Sequence, residues 1–502
     1  MSKRSQNRIV RTLFSVSGLI LLGKLMGFVK QMVVASAFGA TMETDLINLS
    51  HGFIGNLQHL LVQCSVTSVV SIYIHMESKR EEDARRFAGD AVRALALISA
   101  GAVLLVLGGA PWLSKLLAPT YTPELSARLT FYIRLFAPTL LLFAVGAIFH
   151  ALLDANKRFL PGGCSSLIQS LAVIAAVLLF RSLLGTDALT LGFWLYAVCN
   201  ALFLWAFSRR HISAASGNPF RNPAVGQLMR MSLPLLLGYS VVYVNQMVDK
   251  MLASGLETGS VTALSYGAVL SNLVGTFIAS FCSILFSYIT TKIAAGEQRD
   301  AAALALRTLT LLVAAFLPIS ILTALCAKDI VTIAFGRGAF GADSVAITAR
   351  ALMGYGLMFV PLAFRELFSR FQYSYQDTRR PMVNSTIGIV INIALSIALC
   401  PRFGVLGISF ATSVSVAVCA LLNVLSSRRH NRDLRFRPLL RQLAYLAMGG
   451  VVCGLAARWC GSVLQESAPI LRFAVTTLLS GGVYLAVIAP LLLRLLRREK
   501  GS

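Results

Sequence analysis

The sequence predicts an all-α polytopic membrane protein with about 14 transmembrane helices. Of its 502 residues, 56% are hydrophobic and only 13% are charged, whereas a soluble globular domain is about 25% charged. Apolar runs of roughly 20 residues, long enough to cross a bilayer core about 30 Å thick, recur along the whole chain. Because backbone groups in lipid must be paired internally, and because barrel strands are short and alternating, we expect each span to be a helix.

The basic residues between the apolar runs predict the topology. They are concentrated in alternate connections, for example at Lys79–Arg86, Lys157–Arg158 and Arg428–Arg432. The intervening connections, such as 119–126 and 185–188, contain no Lys or Arg. This positive-inside pattern predicts fourteen spans with the N- and C-termini both in the cytoplasm. The first span contains lysines and is followed by thirteen others, so we interpret it as a retained helix and not as a signal peptide.

Composition and motifs exclude several classes of function. The formal net charge is +24, but the basic residues lie between spans and form no continuous surface for nucleic acid, so we expect no nucleic-acid partner. No Walker loop, G-x-S-x-G, HExxH or paired metal-spaced carboxylates occur, which predicts that the chain is not an enzyme and needs no cofactor. The nine cysteines are scattered without CxxC pairs and are expected to be packing residues, not disulfides or metal ligands.

A weak internal repeat at an offset of about 214–220 residues predicts the domain organisation. Gln31–Val33 recurs as Gln246–Val248, and Arg93–Leu97 has a counterpart at Arg307–Leu311. An offset of six spans places both copies in the same orientation, as in transporters built from two bundles around a central cavity. We therefore predict two pseudo-symmetric six-helix bundles and two additional C-terminal helices, with the following ranges: 1–210, 222–428 and 438–496.

Two lysines in the first span are the main indication of function. Lys24 and Lys30 lie within a stretch of otherwise apolar residues. A charge near the centre of a membrane helix costs roughly 2.5–3.5 kcal/mol, so intramembrane charges usually face a cavity or a partner. Lys24 lies deeper than Lys30, and snorkelling to the interface is the alternative for both. We predict that the two ammonium groups line a wet cavity that holds an anion.

Other polar residues are concentrated in a few spans. Three residues of span two, Asp45 at its start and Gln58 and His59 further along, are expected to bind the substrate in the same cavity; hydrogen-bonded packing is the alternative for His59. Asp249, in span seven, would bind a cation or balance a lysine, and the sequence leaves both open. Asn392, in span eleven, would bind an ion or join helices by hydrogen bonds.

Several segments resemble the MurJ/MviN lipid II flippases of the multidrug/oligosaccharidyl-lipid/polysaccharide exporter superfamily. The similarity begins at Gly23–Lys30 and continues through Phe38–Ala40 and Asp45. It extends through the following segments: Gly259–Val261 with Tyr266, Phe335–Phe340 with Thr348, Ala351, Leu352 and Tyr355, and Gln376–Thr378 with Pro381. The resemblance implies a fourteen-span, two-bundle transporter of a lipid-linked saccharide in the bacterial inner membrane.

The resemblance also implies site residues, although the chain departs from the family at several of them. The family's two first-span arginines correspond to Lys24 and Lys30, and its span-two arginine pair corresponds to Gln58 and His59. Its acid–arginine pair in span eight is replaced by Ala268 and Val269, which removes a cavity cation. Asp45 is retained. The family's sodium site implies an ion site that uses the following residues: Asp249, Asp377 and Asn392.

We therefore predict a flippase for an undecaprenyl-diphosphate-linked saccharide, most specifically lipid II, working by alternating access with Na⁺ or H⁺ coupling left open. Its expected partners are the lipid-linked substrate and membrane lipids, with envelope-synthesis proteins as a further option. Export of another lipid-linked oligosaccharide, a cation-coupled multidrug exporter and a non-transporting scaffold are the alternatives. Whether Arg134, Arg365 or Arg370 turns inward to replace the missing arginines is left open by the sequence.

Overall fold

The computed structural model describes residues 3–213, 217–434 and 436–497; Met1 and Ser2, which begin the first predicted bundle, lie outside the described residues. Its secondary structure in this part of the chain is helical, without strands. We number the helices as follows: α1 Lys3–Phe38, α2 Met42–Glu77, α3 Glu81–Leu117, α4 Pro123–Phe136, α5 Thr139–Ala155, α6 Phe159–Leu184, α7 Asp187–Ser208, α8 Pro223–Ser254, α9 Ser260–Ala294, α10 Gln298–Leu325, α11 Ala327–Phe335, α12 Ala342–Gly356, α13 Phe359–Ser374, α14 Arg379–Phe403, α15 Val405–Ser427, α16 Phe436–Val463 and α17 Pro469–Arg497.

The number of membrane spans agrees with the sequence prediction of about fourteen. Twelve of the described helical segments are long and apolar enough to cross a membrane, with α4 and α5 counted together as one. Two bent helical pairs bring the number to fourteen if each pair is one span. One pair is α12 and α13, bent by 43°; the other is formed by the two halves of α8, which bend by 47° after Pro234.

Contacts divide the chain into two compact units. The first unit contains residues 1–259 with 338–340, and the second contains 260–337 with 341–502. Helix α8 packs on α2 and α3 and so belongs to the first unit, although the predicted second bundle begins at residue 222. The predicted ranges 1–210, 222–428 and 438–496 were drawn from the sequence repeat. Whether they behave as separate bundles during transport stays a prediction.

Within the first unit, small residues set how closely helices approach. Helix α1 packs along α6 with Gly23 and Gly27 facing Ser166 and Ser170. A Cβ added at Gly23 would lie 2.0 Å from the Ser166 hydroxyl oxygen, so only glycine allows this approach. Helix α2 packs on both α5 and α8, and an apolar core that includes Tyr73, Phe87 and Leu152 joins α2, α3 and α5.

Within the second unit, α15 is the central helix. It packs on α12, α13 and α14, while α16 packs on α10 and on the last helix, α17. Buried amides add polar contacts to this packing: Asn384 of α14 donates to Asn423 of α15 at 2.8 Å, and Gln372 of α13 donates to the Asn423 carbonyl at 3.1 Å. The interhelical role expected of such amides is therefore observed at Asn384.

Backbone conformation supports the internal repeat at two pairs of positions. Gly185 ends α6 with φ 56° and ψ −131°, and Gly404 ends α14 with φ 57° and ψ −137°. Lys157 and Gln376 are non-glycine residues with positive φ, 58° and 60°, in the turns before those two helices. Both pairs are 219 residues apart (404 − 185 and 376 − 157). The two copies therefore share turn geometry that the weak sequence identity does not reveal.

A buried ion pair in the second unit gives a test of the packing of the last helix. Arg472 at the start of α17 donates from Nε to both carboxylate oxygens of Asp329 in α11, at 3.0 and 2.9 Å, and Asp329 is only 7% exposed. Arg472→Ala leaves this carboxylate without its partner, and we expect a loss of about 3 kcal/mol in unfolding free energy, measured as a lower melting temperature in detergent.

The control is Arg299→Ala. Arg299 is 87% exposed and lies 3.8 Å from Asp433, and such surface pairs contribute little. Equal shifts for the two variants would contradict a structural role for the Asp329–Arg472 pair.

Candidate functional site

The two lysines of the first span lie on different faces of α1. Six positions separate Lys24 from Lys30, which on a helix corresponds to an angle of about 120°. Lys30 continues the stripe of Gly23 and Gly27 that packs against α6 and is half-buried, whereas Lys24 is exposed. The face of α1 that packs on α6 therefore carries Lys30 and not Lys24, and the depth of each lysine in the membrane stays a prediction.

Lys250 of α8 is brought next to α2. Its ammonium nitrogen donates to the Asn48 carbonyl at 3.4 Å and lies directly over Gly52. A Cβ at Gly52 would be 2.0 Å from this nitrogen, so the absence of a side chain at residue 52 creates the space for the ammonium group. The first unit thus contains an intramembrane cation, seated between two helices, that the sequence analysis did not assign to the site.

The ammonium groups of Lys30 and Lys250 lie near the His51 ring in the first unit, and we call these three residues the cationic cluster, its charge being that of the two lysines. The charges of Lys30 and Lys250 both act on the His51 ring, as does His59. His51 stacks on Phe193 at a centroid distance of 3.7 Å and meets Phe136 edge-on at 5.5 Å, which fixes the plane of its ring. In the described part of the chain, neither ammonium group forms an ion pair with a carboxylate. The cluster therefore has the electrostatics of an anion site.

The two span-two candidates line a cavity of about 260 Å³ between α2, α5, α6 and α7. Gln58 is buried and donates to the Thr139 hydroxyl at 2.8 Å, and His59 stacks on Tyr243 at 6.3 Å. His51 is also part of the cavity wall. Gln58, His59 and His51 therefore share the wall of one cavity, and their role in binding a substrate stays a prediction.

Asp45 has a different role from the cavity residues. It is 2% exposed, and its carboxylate accepts a hydrogen bond from the Gly259 backbone N–H at 2.8 Å. We define the loop junction as residues 36–41, 255–259 and 338–340, all of which belong to the first unit. Asp45 stabilises this junction by accepting a hydrogen bond from one of its backbone N–H groups.

Three glycines with positive φ make the loop junction close-packed. Gly39, Gly259 and Gly338 have φ of 66°, 90° and 60°. A Cβ on any of them would lie within 2.2–2.5 Å of a backbone carbonyl oxygen of another loop. The Ala339 N–H also donates to the Ser36 carbonyl at 2.9 Å. The loops therefore meet backbone to backbone, a contact that no other residue type permits.

Two of the three predicted ion-binding residues, Asp377 and Asn392, lie too far apart to bind one ion together. Asp249 is buried in the first unit, whereas Asp377 and Asn392 belong to the second. Fifteen residues separate Asp377 from Asn392, and nearly all of them lie in α14, so the two are about 20 Å apart along its axis. These two residues cannot share one ion. Asn392 is buried, and its side-chain oxygen accepts from Ser396 at 3.2 Å.

Asp377 acts as a helix cap. Its carboxylate accepts the Arg379 and Arg380 backbone N–H groups at 3.1 Å and contacts the His430 ring at 2.9 Å. Desolvation raises the pKa of Asp377, but the backbone N–H of Arg380, the His430 ring and the Arg380 charge together outweigh it and hold this pKa below its usual value. A carboxylate with these partners is poorly suited to a transported cation.

The arginines considered as replacements are engaged elsewhere. Arg365 and Arg370 both bind the Glu366 carboxylate, at 2.9 and 2.5 Å. Arg134 donates to the Leu107 carbonyl at 3.2 Å. Each of the three thus contacts a neighbouring group of its own unit, and whether any of them lines a cavity stays open. Lys250 was detectable in the sequence as a third lysine in an apolar span, but its contact with Gly52 depends on how α8 packs on α2 and no local pattern indicates it.

A family model described as Lipid II flippase MurJ matches residues 34–473. A probable lipid II flippase MurJ from Rhizobium meliloti (strain 1021) is 24% identical over 494 residues, covering 93% of this chain and 90% of the relative. The lipid II flippase MurJ of Burkholderia cenocepacia is 24% identical over 473 residues, covering 90% of each chain.

Solved structures give the same fold. A lipid II flippase MurJ in an inward closed conformation matches with a TM-score of 0.76 at 17% identity, covering 95% of this chain and 100% of that one. An inward-facing multidrug resistance MATE family transporter matches with a TM-score of 0.70 at 12% identity, covering 82% of this chain and 95% of that one. At these identities the likeness shows the fold alone.

The loop junction leads to a prediction on Gly259. Gly259→Ala adds a methyl group 2.5 Å from the Ala40 carbonyl oxygen at a positive φ, so we expect a clear fall in melting temperature. Gly185→Ala is the matched control, because it also has a positive φ but no atom within 4 Å of its added methyl. A fall for Gly185→Ala as large as that for Gly259→Ala would show that φ strain alone, and not the close contact, matters.

Proposed function

Since this chain belongs to the lipid II flippase MurJ family, we propose that it moves lipid II, a saccharide joined to a polyprenyl lipid through a diphosphate, across the membrane. It is a multi-pass transporter and not an enzyme. The lipid tail can remain in the bilayer throughout, whereas the charged head group cannot enter hydrocarbon unaided. The task of the protein is therefore to replace the water around the diphosphate with fixed positive charge.

The cationic cluster of Lys30, Lys250 and His51 is the observation that supports the proposal most strongly. Two ammonium groups without carboxylate partners in the described chain are costly inside an apolar protein unless an anion joins them. A diphosphate supplies that charge. Lysine binds phosphate as a compact point charge, whereas the planar guanidinium of arginine donates two parallel hydrogen bonds. The proposed contacts between the lysines and the diphosphate therefore depend mainly on the distance between the charges.

The carrier would operate in the bacterial inner membrane with both termini in the cytoplasm. The support for this orientation is the alternation of basic and non-basic connections along the chain. Envelope-synthesis proteins stay an open class of partner. Transport would be driven by an ion gradient or by the membrane potential, because the sequence has no nucleotide-binding loop.

If transport is coupled to a cation, we propose that the carboxylate of Asp249 binds this cation. Asp249 is a buried carboxylate within a span, and intramembrane acids commonly mark ion pathways. Asp377 is the weaker candidate because it caps α14 and contacts Arg380 and His430. Na⁺ and H⁺ are both compatible with a single carboxylate of this kind.

A second candidate cargo is another lipid-linked oligosaccharide. Gln58 and His59 replace a family arginine pair, and Ala268 and Val269 replace an acid and an arginine, so the site carries less charge than the family pattern. Any diphosphate-linked cargo would use the same cluster. Complementation with lipid II as the only missing cargo separates the two, since an exporter of another saccharide would not restore growth.

The first test removes the charges. Lys30→Met and Lys250→Met keep an apolar stem but lose the ammonium group, and we expect each to weaken binding of lipid II by roughly 10- to 100-fold, the value of one charged hydrogen bond. The double variant should fail to rescue a strain depleted of its own lipid II flippase. Lys115→Met, an exposed lysine near the end of α3, is the control. Full rescue by the double variant, at normal abundance in the membrane, would refute the proposed site.

The second test moves one charge without removing it. Gly52→Ala forces the Lys250 ammonium away from α2, and we expect roughly tenfold weaker lipid II binding, whereas Gly101→Ala, on an exposed face of α3 with no atom within 4 Å of the added methyl, should not change it. In a Lys250→Met background Gly52→Ala should have no further effect, because the group it displaces is already gone. Equal additive losses in both backgrounds would show that Gly52 acts through packing alone.

A further inference from the structure

The cavity beside the cationic cluster has the chemistry of a sugar site. Its wall includes the following neutral hydrogen-bonding groups: Gln58, His150, Ser165, Gln169, Tyr196 and Asn200. No carboxylate, lysine or arginine is among the described residues that line it. A wall of amides, hydroxyls and imidazoles can both donate and accept, which suits a molecule rich in hydroxyl groups and not a free ion.

One wall residue has an unmet hydrogen-bonding requirement. Asn200 of α7 is 7% exposed, and its side-chain oxygen accepts no hydrogen bond from any described residue. Leaving a buried acceptor unpaired costs about 1–3 kcal/mol, so such groups are uncommon without a ligand or water to satisfy them. A hydroxyl or amide N–H of a bound molecule would supply the missing donor.

Glycine keeps the cavity open. A Cβ added at Gly146 of α5 would meet no atom within 4 Å, although the residue is buried. The volume of about 260 Å³ is far more than one ordered water requires and is close to the lower end of ligand pockets, about 300 Å³. Phe143 and Tyr196, with ring centroids 5.2 Å apart, provide an aromatic wall of the kind that packs on the apolar face of a sugar ring.

His51 connects this cavity to the cationic cluster. It lines the cavity and is also acted on by the charges of Lys30 and Lys250. A head group with a sugar joined directly to a diphosphate has its neutral and anionic parts adjacent in the same way.

We propose that the cavity between α2, α5, α6 and α7 is a saccharide subsite that binds the first sugar next to the diphosphate of the carried lipid. This inference rests on the proposed function, and it assigns to the cavity the task of distinguishing a sugar-bearing carrier lipid from the bare polyprenyl diphosphate. The cluster binds both lipids, and the cavity binds only the sugar.

The experiment measures the affinity of the full-length protein for lipid II and for undecaprenyl diphosphate, by native mass spectrometry in the same detergent. The quantity of interest is the ratio of the two dissociation constants. Gly146→Leu fills the cavity, and Asn200→Leu removes the acceptor. We expect each to reduce the preference for lipid II by roughly tenfold while binding of undecaprenyl diphosphate stays within about twofold. Lys250→Met should weaken binding of both lipids together.

Melting temperature separates a ligand role of Asn200 from a structural one. Replacing an unpaired buried acceptor by an apolar group should leave stability unchanged or raise it, whereas a structural hydrogen-bonding role would make Asn200→Leu destabilising. Gly108→Leu is the control for the larger side chain, because Gly108 is on an exposed face of α3 with no atom within 4 Å of its added Cβ.

The outcomes are distinct. An unchanged ratio in both cavity variants, with both lipids still bound, would overturn the saccharide subsite and leave a cavity that holds water only, without affecting the flippase proposal. If the unmodified protein binds neither lipid, the proposed function itself fails.

Discussion

The cost of a positive charge in an apolar surrounding is the constraint on which the account depends. Lys30 and Lys250 lie in membrane helices of one unit, and neither has a carboxylate partner among the described residues. A charge near the centre of a membrane helix costs roughly 2.5–3.5 kcal/mol on an insertion scale; Lys30 lies in the middle of the apolar window Leu21–Phe38, whereas Lys250 lies close to the end of α8. An empty cluster of this kind is therefore unfavourable, and the arrival of an anion recovers part of the cost. The positive charge that has no carboxylate partner therefore lowers the stability of the fold and, at the same time, creates affinity for a phosphorylated carrier.

The positions of several glycines determine where the two ammonium groups can lie. Gly52 provides the space in which the Lys250 ammonium lies, and Gly23 lets α1 approach α6 so that the face carrying Lys30 is turned inward. Gly146 keeps the adjacent cavity open. At the loop junction, Gly39, Gly259 and Gly338 serve a different purpose, since their backbones touch other loops and they adopt positive φ. In both the site and the junction, glycine residues thus leave space that a side chain would otherwise occupy.

Local patterns in the sequence were sufficient for the fold but not for the site. Apolar runs and alternating basic connections predicted the number of spans, because each depends only on neighbouring residues. The 3.6-residue period alone could have shown that Lys24 and Lys30 point in different directions and that Asp377 and Asn392 lie far apart on α14. The meeting of Lys250 with Gly52 was out of reach, since it requires α8 to pack on α2 across about 200 residues of chain. The orphan acceptor of Asn200 was equally hidden, because burial of a single amide depends on the packing of four helices.

The most direct test of the central claim is a cryo-electron-microscopy structure of the protein with undecaprenyl diphosphate bound. The account predicts phosphate density about 3 Å from the Lys250 ammonium, with Lys30 and His51 around the same group. Diphosphate density elsewhere in the protein, with the Lys250 ammonium still against Asn48 and Gly52 and no anion near it, would contradict it.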